Sequence, residues 1–335
     1  MFPMKIAYLG AGTWGFALAS LLAGNGHEVV VWTSSSALAE ELQRTRQHPK
    51  LSEYKAPDSV RFTSELAEAL QGAEVIIESV TSAGVRPVFE KVAALGSIRV
   101  PVILTSKGIE QGSGLLLPEV VADILKEPKS PLIGCLSGPS HAEEVIHNKP
   151  TSVVSAAYDI EIAKLICTLF TTPTFRIYPN ADLHGVCFGG AMKNIIAIAC
   201  GISDGLTGSD NAKAALMTRG LHEMRKLCAV KDCKPETLNG LSGMGDLCVT
   251  CLSSHSRNSR FGKLIAEGFS PEGARQKIGM AVEGVYTCVS ARELGRKYGI
   301  PIPVTEVTYA ILYEGLDPRE AVKSLLTRTV KEEHL

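Results

Sequence analysis

The sequence lacks a surplus of either charge. Its 335 residues include 34 Lys and Arg against 35 Asp and Glu, which gives a formal net charge of −1. A chain without a broad basic field has little with which to hold a nucleic-acid backbone or an anionic membrane surface, so neither partner is expected. Any anion that this protein binds must therefore be held locally, by a few placed groups.

The sequence also lacks the cysteine spacing of a disulfide framework and the features of a signal peptide. Its nine Cys are scattered, and an odd number always leaves one unpaired, which suits free thiols in a reducing compartment. The first five residues pass directly into the apolar run Ile6 to Leu9, without a basic segment or a small-residue cleavage site. These features predict a cytoplasmic protein.

A long apolar run free of charge is missing as well. The longest candidate, Val186 to Ile202, carries Lys193 and Asn194 at its centre and is short for a membrane span. We therefore expect a buried helix here and no membrane span. The lysine at the centre of that helix then needs an explanation.

What the first half of the chain does contain is an alternation of short apolar runs, rich in β-branched residues, with helical patterns. The predicted strands are residues 5–9, 28–32, 74–79, 101–104, 131–136 and 151–155. The predicted helices between them include residues 15–25, 64–70, 84–95 and 114–126. This alternation predicts an α/β domain over residues 1–180, with a doubly wound, parallel-rich sheet.

The second half contains mostly helical patterns. They cover residues 182–201, 210–229, 257–267, 271–279, 283–299 and 318–325. Helices of this kind pack as a bundle, so a mostly α-helical second domain is predicted over residues 181–335.

A glycine-rich segment, Gly10-Ala11-Gly12-Thr13-Trp14-Gly15, follows the first predicted strand directly and opens a helix. Gly10 permits a tight turn, Gly12 lets the backbone approach a pyrophosphate, and Gly15 lets the helix pack closely on the strand. The helix N-terminus attracts phosphates. This context favours a Rossmann-like dinucleotide site over an ordinary tight turn.

The end of the second predicted strand bears on which dinucleotide is bound. The run Val31 to Ser36 contains hydroxyls, including Ser34, but neither a carboxylate for a ribose 2′-hydroxyl nor an arginine for a 2′-phosphate. Arg44 and Arg46 are more typical of a solvated helix face. The sequence therefore leaves NAD and NADP both open.

Two further segments follow predicted strands at the carboxyl edge of the sheet, where open α/β sheets bind ligands. One contains Lys107, which could instead be a surface lysine. The other is the small-residue turn from Ser137 to Ala142, which could lie against a nicotinamide ring or be simply a turn.

Lys193 lies among apolar and small residues in a predicted helix. Burying an ammonium is costly, so the lysine must be paired, lowered in pKa or turned to a polar cleft. A carbonyl reductase needs a proton donor beside its carbonyl, and a desolvated lysine can serve. The alternative is a structural lysine paired with a carboxylate.

A polar cluster lies between Gly243 and Gly262. Ser256 is a candidate helix N-cap, and Arg257 could grip a phosphate through its planar fork, although Arg257 and Arg260 could also form a solvated helix face. Cys248 and Cys251 form a C-x-x-C, but the second pair that a zinc site needs is absent, so no metal is expected.

Taken together, seven segments resemble the NAD(P)-dependent sn-glycerol-3-phosphate dehydrogenases of the bacterial single-chain kind. They are G-A-G-T-W-G-F-A-L-A (10–19), S-K-G (106–108), S-G-P-S-H-A (137–142), A-M-K-N (191–194), G-D-L-x-x-T-C (245–251), S-R-N (256–258) and V-E-G (282–284). The resemblance spans nearly the whole chain.

The resemblance implies a role for each matching position. Lys193 would be the catalytic proton donor and acceptor, and Lys107 would touch both cofactor and substrate. The expected substrate contacts are Asn194, Asp246, Thr250, Ser256, Arg257 and Asn258. The expected dinucleotide contacts are Gly10, Gly12, Thr13, Trp14, Gly15, Ser34, Ala142, Arg257, Ala281 and Glu283. Gly138 and Ser140 are expected beside both ligands.

The implied reaction interconverts sn-glycerol 3-phosphate and dihydroxyacetone phosphate and would feed glycerophospholipid synthesis. A β-hydroxyacid dehydrogenase of related architecture is the alternative enzyme, because such enzymes also place a Lys-Asn pair on a helix. A dinucleotide-sensing protein without turnover is the alternative from another class. The oligomeric state stays open, with a homodimer as one option.

Overall fold

The computed structural model describes residues 2–327. The chain forms two compact units, one of Met1–Ser106 with Leu117–Leu183 and the other of Lys107–Leu116 with His184–Leu335. The division after Leu183 lies three residues beyond the predicted boundary after residue 180, and the short segment Lys107–Leu116 packs with the second unit.

The first unit is built on an eight-stranded sheet. Its strands are β1 (Lys5–Leu9), β2 (Glu28–Trp32), β3 (Val60–Thr63), β4 (Val75–Glu78), β5 (Val102–Leu104), β6 (Ile133–Ser137), β7 (Thr151–Ala157) and β8 (Phe175–Asn180). Their order is β3-β2-β1-β4-β5-β6-β7-β8. The pairs from β3 to β6 are parallel, β7 is antiparallel to β6, and β8 is parallel to β7. The doubly wound, parallel-rich α/β fold is confirmed.

Helices pack on this sheet and bury its apolar side chains. Within the described residues they are α1 (Thr13–Gly24), α2 (Ser36–Thr45), α3 (Leu66–Leu70), α4 (Val85–Leu95), α5 (Leu117–Leu125), α6 (Ala142–Val145) and α7 (Ile160–Phe170). The central strands are buried on both faces, as the apolar runs of β1 and β2 require. Tyr8, Phe16 and Phe89 are among the largest fully buried side chains.

Two strands were not among those predicted, and both are edge strands. β3 has four residues and includes the exposed Arg61, while β8 alternates in burial and contains Pro179. Arg61 interrupts the apolar pattern of the short β3, and most residues of β8 are exposed or half-buried, so neither strand shows the continuous apolar run by which the buried strands were found. The helices named in the prediction also did not include α2, α6 or α7, and the ten residues of α2 bury only Ala39 and Leu42.

The second unit is helical, as predicted. Its described helices are α8 (Leu183–Thr207), α9 (Asp210–Ala229), α10 (Asp246–Leu252), α11 (Arg257–Ala266), α12 (Pro271–Ile278), α13 (Glu283–Tyr298), α14 (Pro303–Tyr313) and α15 (Pro318–Leu326). The prediction omitted α10 and α14. The strand-rich unit followed by this helix-rich unit matches the predicted fold class.

Helix α8 is the axis of the second unit. Among the described residues it is long and apolar enough to cross a membrane by length and composition, yet 89% of its most apolar window is buried inside the protein. Phe188, Met192, Ile195 and Ile196 on this helix are fully buried in one apolar cluster. This burial on all sides is that of the core helix of a folded domain.

Glycines let α8 and α11 approach each other closely. A Cβ on Gly201 would overlap the carbonyl oxygen of Ser259, and a Cβ on Gly262 would overlap that of Ile198. The two backbones are therefore in direct contact, which fixes the start of α11 against the middle of α8.

We predict that Gly201→Ala destabilises the protein although alanine favours helix. The added methyl group would force the helices apart, at a cost of roughly 1–3 kcal/mol, and the thermal midpoint should fall by several degrees. Gly24→Ala is the matched control, because a Cβ at Gly24 meets nothing within 4 Å. Circular dichroism melts should show no loss for Gly24→Ala, and an unchanged midpoint for Gly201→Ala would contradict the close contact.

Candidate active site

The turn after β1 has three glycines with three different surroundings. Gly10 has φ of +117°, and a Cβ there would lie 2.7 Å from the carbonyl oxygen of Ser79. A Cβ on Gly15 would overlap the carbonyl oxygen of Gly10. Gly12 is exposed, and a Cβ there would meet nothing within 4 Å. Gly10 and Gly15 are thus required by the protein itself, whereas the space before Gly12 is open to a ligand.

The position of this turn in the sheet suits a dinucleotide. β1 lies between β2 and β4, where the strand order reverses, and ligands of open α/β sheets bind at the carboxyl ends of strands at such a point. Helix α1 begins at the buried Thr13, and its first turn has no acidic residue that would repel a phosphate. The residues present therefore fit a dinucleotide pyrophosphate.

The residues expected near the adenosine end are arranged at the tip of β2. Ser34 is exposed, and Ser35 caps α2 by accepting a hydrogen bond from the amide of Leu38 at 3.2 Å. Arg46 donates to the backbone carbonyls of Val60 and Asp58, so its guanidinium is engaged in the loop before β3. The tip of β2 thus presents hydroxyl groups rather than a strong charge.

The turn after β6 has a constrained backbone. Gly138 has φ of +137°, and a Cβ there would press on the backbone of Val153 on β7. The hydroxyl of Ser140 donates to the carbonyl of Gly138 at 3.0 Å, and the buried Ala142 opens α6. Trp14, by contrast, is half-buried and packs against the core of the first unit.

In the second unit, Lys193 is buried on α8 and has two acceptors. Its Nζ donates to Asp246 Oδ1 at 2.6 Å and to Thr250 Oγ1 at 2.7 Å. Burial lowers the pKa of Lys193 to about 8, Asp246 opposes that shift, and the nearby Lys107 adds to it. An ammonium carries three N–H donors, so these two bonds leave one for a ligand oxygen.

Asp246 holds a second lysine through its other carboxylate oxygen. Lys107 Nζ lies 2.6 Å from Asp246 Oδ2, and the Lys107 side chain is 17% exposed against 1% for Asp246. Burial by itself would raise the pKa of Asp246, but the ammonium groups of Lys107 and Lys193 outweigh it and hold the pKa below its usual value. One buried carboxylate therefore orients two ammonium groups.

A π-helical turn, Leu241–Gly245, places Asp246 beside α8. A Cβ on Gly243 would overlap the backbone of Leu238, and a Cβ on Gly189 would lie 2.7 Å from the carbonyl oxygen of Ser242. Gly189 lies one helical turn before Lys193, so this contact brings the start of α10 to the lysine. Single π-helical turns of this kind are frequent at functional sites.

Asn194 is held by a chain of hydrogen bonds. Asn258 Nδ2 donates to Asn194 Oδ1 at 2.9 Å, and the amide of Gly284 donates to Asn258 Oδ1 at 3.0 Å. A Cβ on Gly284 would lie 2.6 Å from the carbonyl oxygen of Asn194. The side chain of Asn258 thus orients Asn194 and is engaged by that task.

The start of α11 brings further expected residues together. Ser256 caps the helix, as predicted, by accepting from the amide of Ser259 at 3.2 Å. Arg257 is half-buried, and its Nη1 donates to the carbonyl of Ala281 at 3.0 Å, two residues before Glu283 opens α13. The first turn of α11 has no acidic residue, so it can receive an anion.

The two cysteines of the C-x-x-C pair each have a sulfur neighbour. A hydrogen bond with Cys200 and burial raise the pKa of the Cys251 thiol, while Cys248 lies 3.7 Å from the sulfur of Met244. Among residues 2–327 no group of three or more His, Cys, Asp or Glu could hold a metal ion.

Sequence reasoning missed the residues that support the site. Gly189 and Gly284 act through close backbone approach, and a lone glycine in a helical pattern carries no signal of its partner. His48, whose ring packs against that of Phe16 on α1, was also missed. A single histidine in a polar loop gave no signal at all.

This fold and these residues define a nicotinamide-dependent dehydrogenase, with a glycine-rich dinucleotide turn and a buried lysine beside an aspartate. Two family descriptions match the chain: the NAD-dependent glycerol-3-phosphate dehydrogenase N-terminus over residues 5–163 and its C-terminus over residues 182–323. The chain belongs to the NAD-dependent glycerol-3-phosphate dehydrogenase family.

Several proteins are similar over nearly their full length. A glycerol-3-phosphate dehydrogenase [NAD(P)+] of Protochlamydia amoebophila is 57% identical over 331 residues, 99% of each chain. The enzyme of that name from Chlamydia trachomatis serovar L2b is 54% identical over 98% of this chain and 99% of its own. A solved structure of glycerol-3-phosphate dehydrogenase from Coxiella burnetii is 40% identical, with a TM-score of 0.93 over 98% of this chain and all of that one.

We predict that Gly12→Val abolishes dinucleotide binding and leaves the fold intact. The valine would project into space that is empty of protein, so the thermal midpoint should not change. The same side chain would occupy the approach of the pyrophosphate. Fluorescence titration with NADH and NADPH measures the loss, and unchanged affinity for both would show that the turn does not bind the dinucleotide.

Proposed function

We propose that this protein interconverts sn-glycerol 3-phosphate and dihydroxyacetone phosphate, with NAD or NADP as the cofactor. The observation that carries the proposal is the buried ammonium of Lys193, held by Asp246 and Thr250 with its pKa lowered to about 8. A proton donor of that pKa can both give and take a proton near neutral pH. The names of the similar enzymes supply the substrate.

In the proposed reduction, Lys193 donates its third N–H proton to the oxygen that forms at C2 of the ketone. Asp246 keeps the ammonium pointed at that oxygen, and Lys107, on the other carboxylate oxygen, supplies a second positive charge beside it. When bound, the dinucleotide supplies or accepts the hydride. In the reverse direction, a neutral Lys193 takes the proton of the C2 hydroxyl.

The start of α11 is the proposed site for the substrate phosphate. The amides of Arg257 and Asn258 stand at the first positions of the helix, where amides have no intrahelical acceptor. A guanidinium has five N–H donors in a planar fork, and Arg257 Nη1 donates to the carbonyl of Ala281. Charge-assisted hydrogen bonds from Arg257 would therefore add to the helix N-terminus.

The two units divide these tasks in the proposal: the first binds the dinucleotide, through the turn after β1, Ser34 and the turn after β6, and the second binds the substrate. We further propose a cytoplasmic enzyme that feeds glycerophospholipid synthesis and works as a homodimer. Light scattering of the purified chain tests the dimer.

The decisive assay follows the oxidation of NADH and of NADPH separately, with dihydroxyacetone phosphate and with unphosphorylated dihydroxyacetone. Turnover with the phosphorylated ketone, and little with the other, is the expected result. Binding of a dinucleotide without turnover on either ketone would favour a sensing protein, and turnover on 3-hydroxy acids would favour the related dehydrogenases.

We predict that Lys193→Met lowers kcat by about 10² to 10⁴-fold, the usual contribution of a positioned general acid. In the parent, ketone reduction should weaken as the pH rises through about 8, because the proton on Lys193 is then lost. This loss of activity above pH 8 should be absent from the pH profile of the variant. NADH affinity should hardly change.

Lys213→Met is the matched control for that variant, since Lys213 is another largely buried lysine in an ion pair, 2.8 Å from Asp204, on α9. Its turnover should stay near that of the parent. A kcat of Lys193→Met within twofold of the parent would leave Lys193 a merely structural lysine.

We predict that Arg257→Ala lowers kcat/KM for dihydroxyacetone phosphate by roughly 10 to 100-fold, since one charge-assisted bond contributes about 1.5–3 kcal/mol. Unphosphorylated dihydroxyacetone should be nearly unaffected. Lysine at this position should restore part of the loss, because it keeps the charge but not the planar fork.

The control for Arg257 is Arg260→Ala, which removes an exposed arginine of the same helix. NADH affinity is measured in both variants, because Arg257 is also expected near the dinucleotide. Equal losses of kcat/KM with the two ketones would show that Arg257 does not bind the phosphate.

A further inference from the structure

The segment Lys107–Leu116 of the second unit folds back on itself as a short hairpin. Ile109 pairs with Leu116 in an isolated antiparallel bridge, and the amide of Glu110 donates to the carbonyl of Leu115 at 2.9 Å. These bonds tie the two arms of the hairpin together. A displacement at Ile109 would therefore also displace the first residue of the hairpin, Lys107.

Helix α13 holds this hairpin along one of its faces. The hydroxyl of Ser290 donates to the carbonyl of Ile109 at 3.1 Å. A Cβ on Gly114 would lie 3.3 Å from the side chain of Leu294, so the turn of the hairpin packs closely there. Positions 290 and 294 are one helical turn apart and lie on the same face. The hairpin is thus seated along the helix rather than touching it at a single point.

The hydroxyl of Ser290 bonds outside its own helix. A serine or threonine inside a helix commonly bonds the carbonyl four residues earlier, and Thr287 of α13 does so at 3.0 Å. For Ser290 that carbonyl belongs to Tyr286, and it accepts from Gln111 Nε2 of the hairpin at 3.2 Å. A hydroxyl has one proton, and that of Ser290 is given to Ile109.

This bond lies in a dry place close to the site. Ser290 is fully buried and Ile109 is 2% exposed. A buried carbonyl that lost its donor would not regain one from water, so the bond is a firm anchor. Ile109 is two residues from Lys107, whose Nζ lies 2.6 Å from Asp246 Oδ2. The anchor is near enough in the chain to determine where that ammonium lies.

We propose that Ser290 is a positioning residue, which holds the ammonium of Lys107 against Asp246 through the carbonyl of Ile109. This inference rests on the proposed function for the role of Lys193, the other lysine on that carboxylate. Without the hydroxyl, the hairpin is loosened two residues from Lys107, and its charge spends less time at Asp246.

The acidity of Lys193 reports where the charge of Lys107 lies. Burial is the main cause of the low pKa of Lys193, about 8, and Lys107 adds to it, while Asp246 and the thiol of Cys251 oppose it. When the charge of Lys107 moves away, the protonated form of Lys193 is favoured. The pKa of Lys193 must then rise.

The primary readout is the pKa of Lys193, measured without turnover. Acetic anhydride at trace level acylates only the neutral amine, so the labelling rate of Lys193 against pH, read by peptide mass spectrometry, gives this pKa. Lys107→Met sets the full effect and should raise the pKa by about one unit. Ser290→Ala should raise it by part of that shift, and the pH at which ketone reduction weakens should rise with it.

A double-mutant cycle separates positioning from a purely structural role. In Lys107→Met there is no ammonium to position, so adding Ser290→Ala should leave the pKa of Lys193 unchanged. Gln111→Ala removes an exposed side chain and its bond to Tyr286, and it should cause a smaller rise. This surface variant tests the anchoring of the hairpin even if Ser290→Ala does not fold.

Ser155→Ala is the matched control. Ser155 is also fully buried, and its hydroxyl also donates to a backbone carbonyl, that of Ala163 at 2.8 Å, but it lies on β7 in the first unit. Both serine substitutions should lower the thermal midpoint. Only Ser290→Ala should raise the pKa of Lys193.

An unchanged pKa of Lys193 in both Ser290→Ala and Gln111→Ala would overturn the inference. So would an equal rise when Ser290→Ala is added to Lys107→Met, or a rise in Ser155→Ala. A parent protein without turnover of dihydroxyacetone phosphate would overturn the proposed function instead, and the labelling would still show whether Ser290 holds the charge of Lys107 in place.

Discussion

The carboxylate of Asp246 is the interaction on which the site depends. It lies at 1% exposure between two ammonium groups, each 2.6 Å from a different oxygen. Three charges in one buried place leave a net positive charge, and such a cluster is a poor source of stability because desolvation offsets much of the attraction. The arrangement is better suited to receiving a partial negative charge, such as that on a carbonyl oxygen during reduction, where low-dielectric surroundings strengthen the attraction.

Lys107 can share Asp246 only because the segment around it is anchored in the second unit. The hydroxyl of Ser290 on α13 donates to the carbonyl of Ile109 at 3.1 Å, and Ile109 and Leu116 are buried in the same apolar cluster as Met192 of α8. The segment that follows β5 is thus part of the helical core. Its charge at Asp246 also helps to keep the pKa of Lys193 low, so the anchoring of a loop adjusts the acidity of a residue on a helix.

The parts of the fold and of the site that depend on one short segment of sequence could be predicted. The turn of Gly10, Gly12 and Gly15 follows a strand and opens a helix within one short segment. A lysine in an apolar helix is costly to bury, so it predicts a polar or charged partner. The partner itself was named only through the resemblance to the family, because Asp246 is 53 residues from Lys193 and 139 from Lys107. No periodicity spans such separations. The two edge strands were missed for a local reason: β3 has only four residues with Arg61 between its two apolar ones, and β8 is mostly exposed or half-buried, so neither shows an apolar run.

The glycines of the second unit show how distant residues are brought to one place. Ser242 approaches Gly189, Ser259 approaches Gly201, and Asn194 approaches Gly284, each through a backbone contact that a Cβ would obstruct. Along α8 these contacts fall at Gly189, Asn194 and Gly201, and they position α10, α13 and α11 in that order. Lys193 lies directly beside the second contact. A side chain at any of these glycines would move a whole helix, and with it Asp246, Arg257 or the amide that orients Asn258, so the chemistry of the site depends on positions that have no functional group.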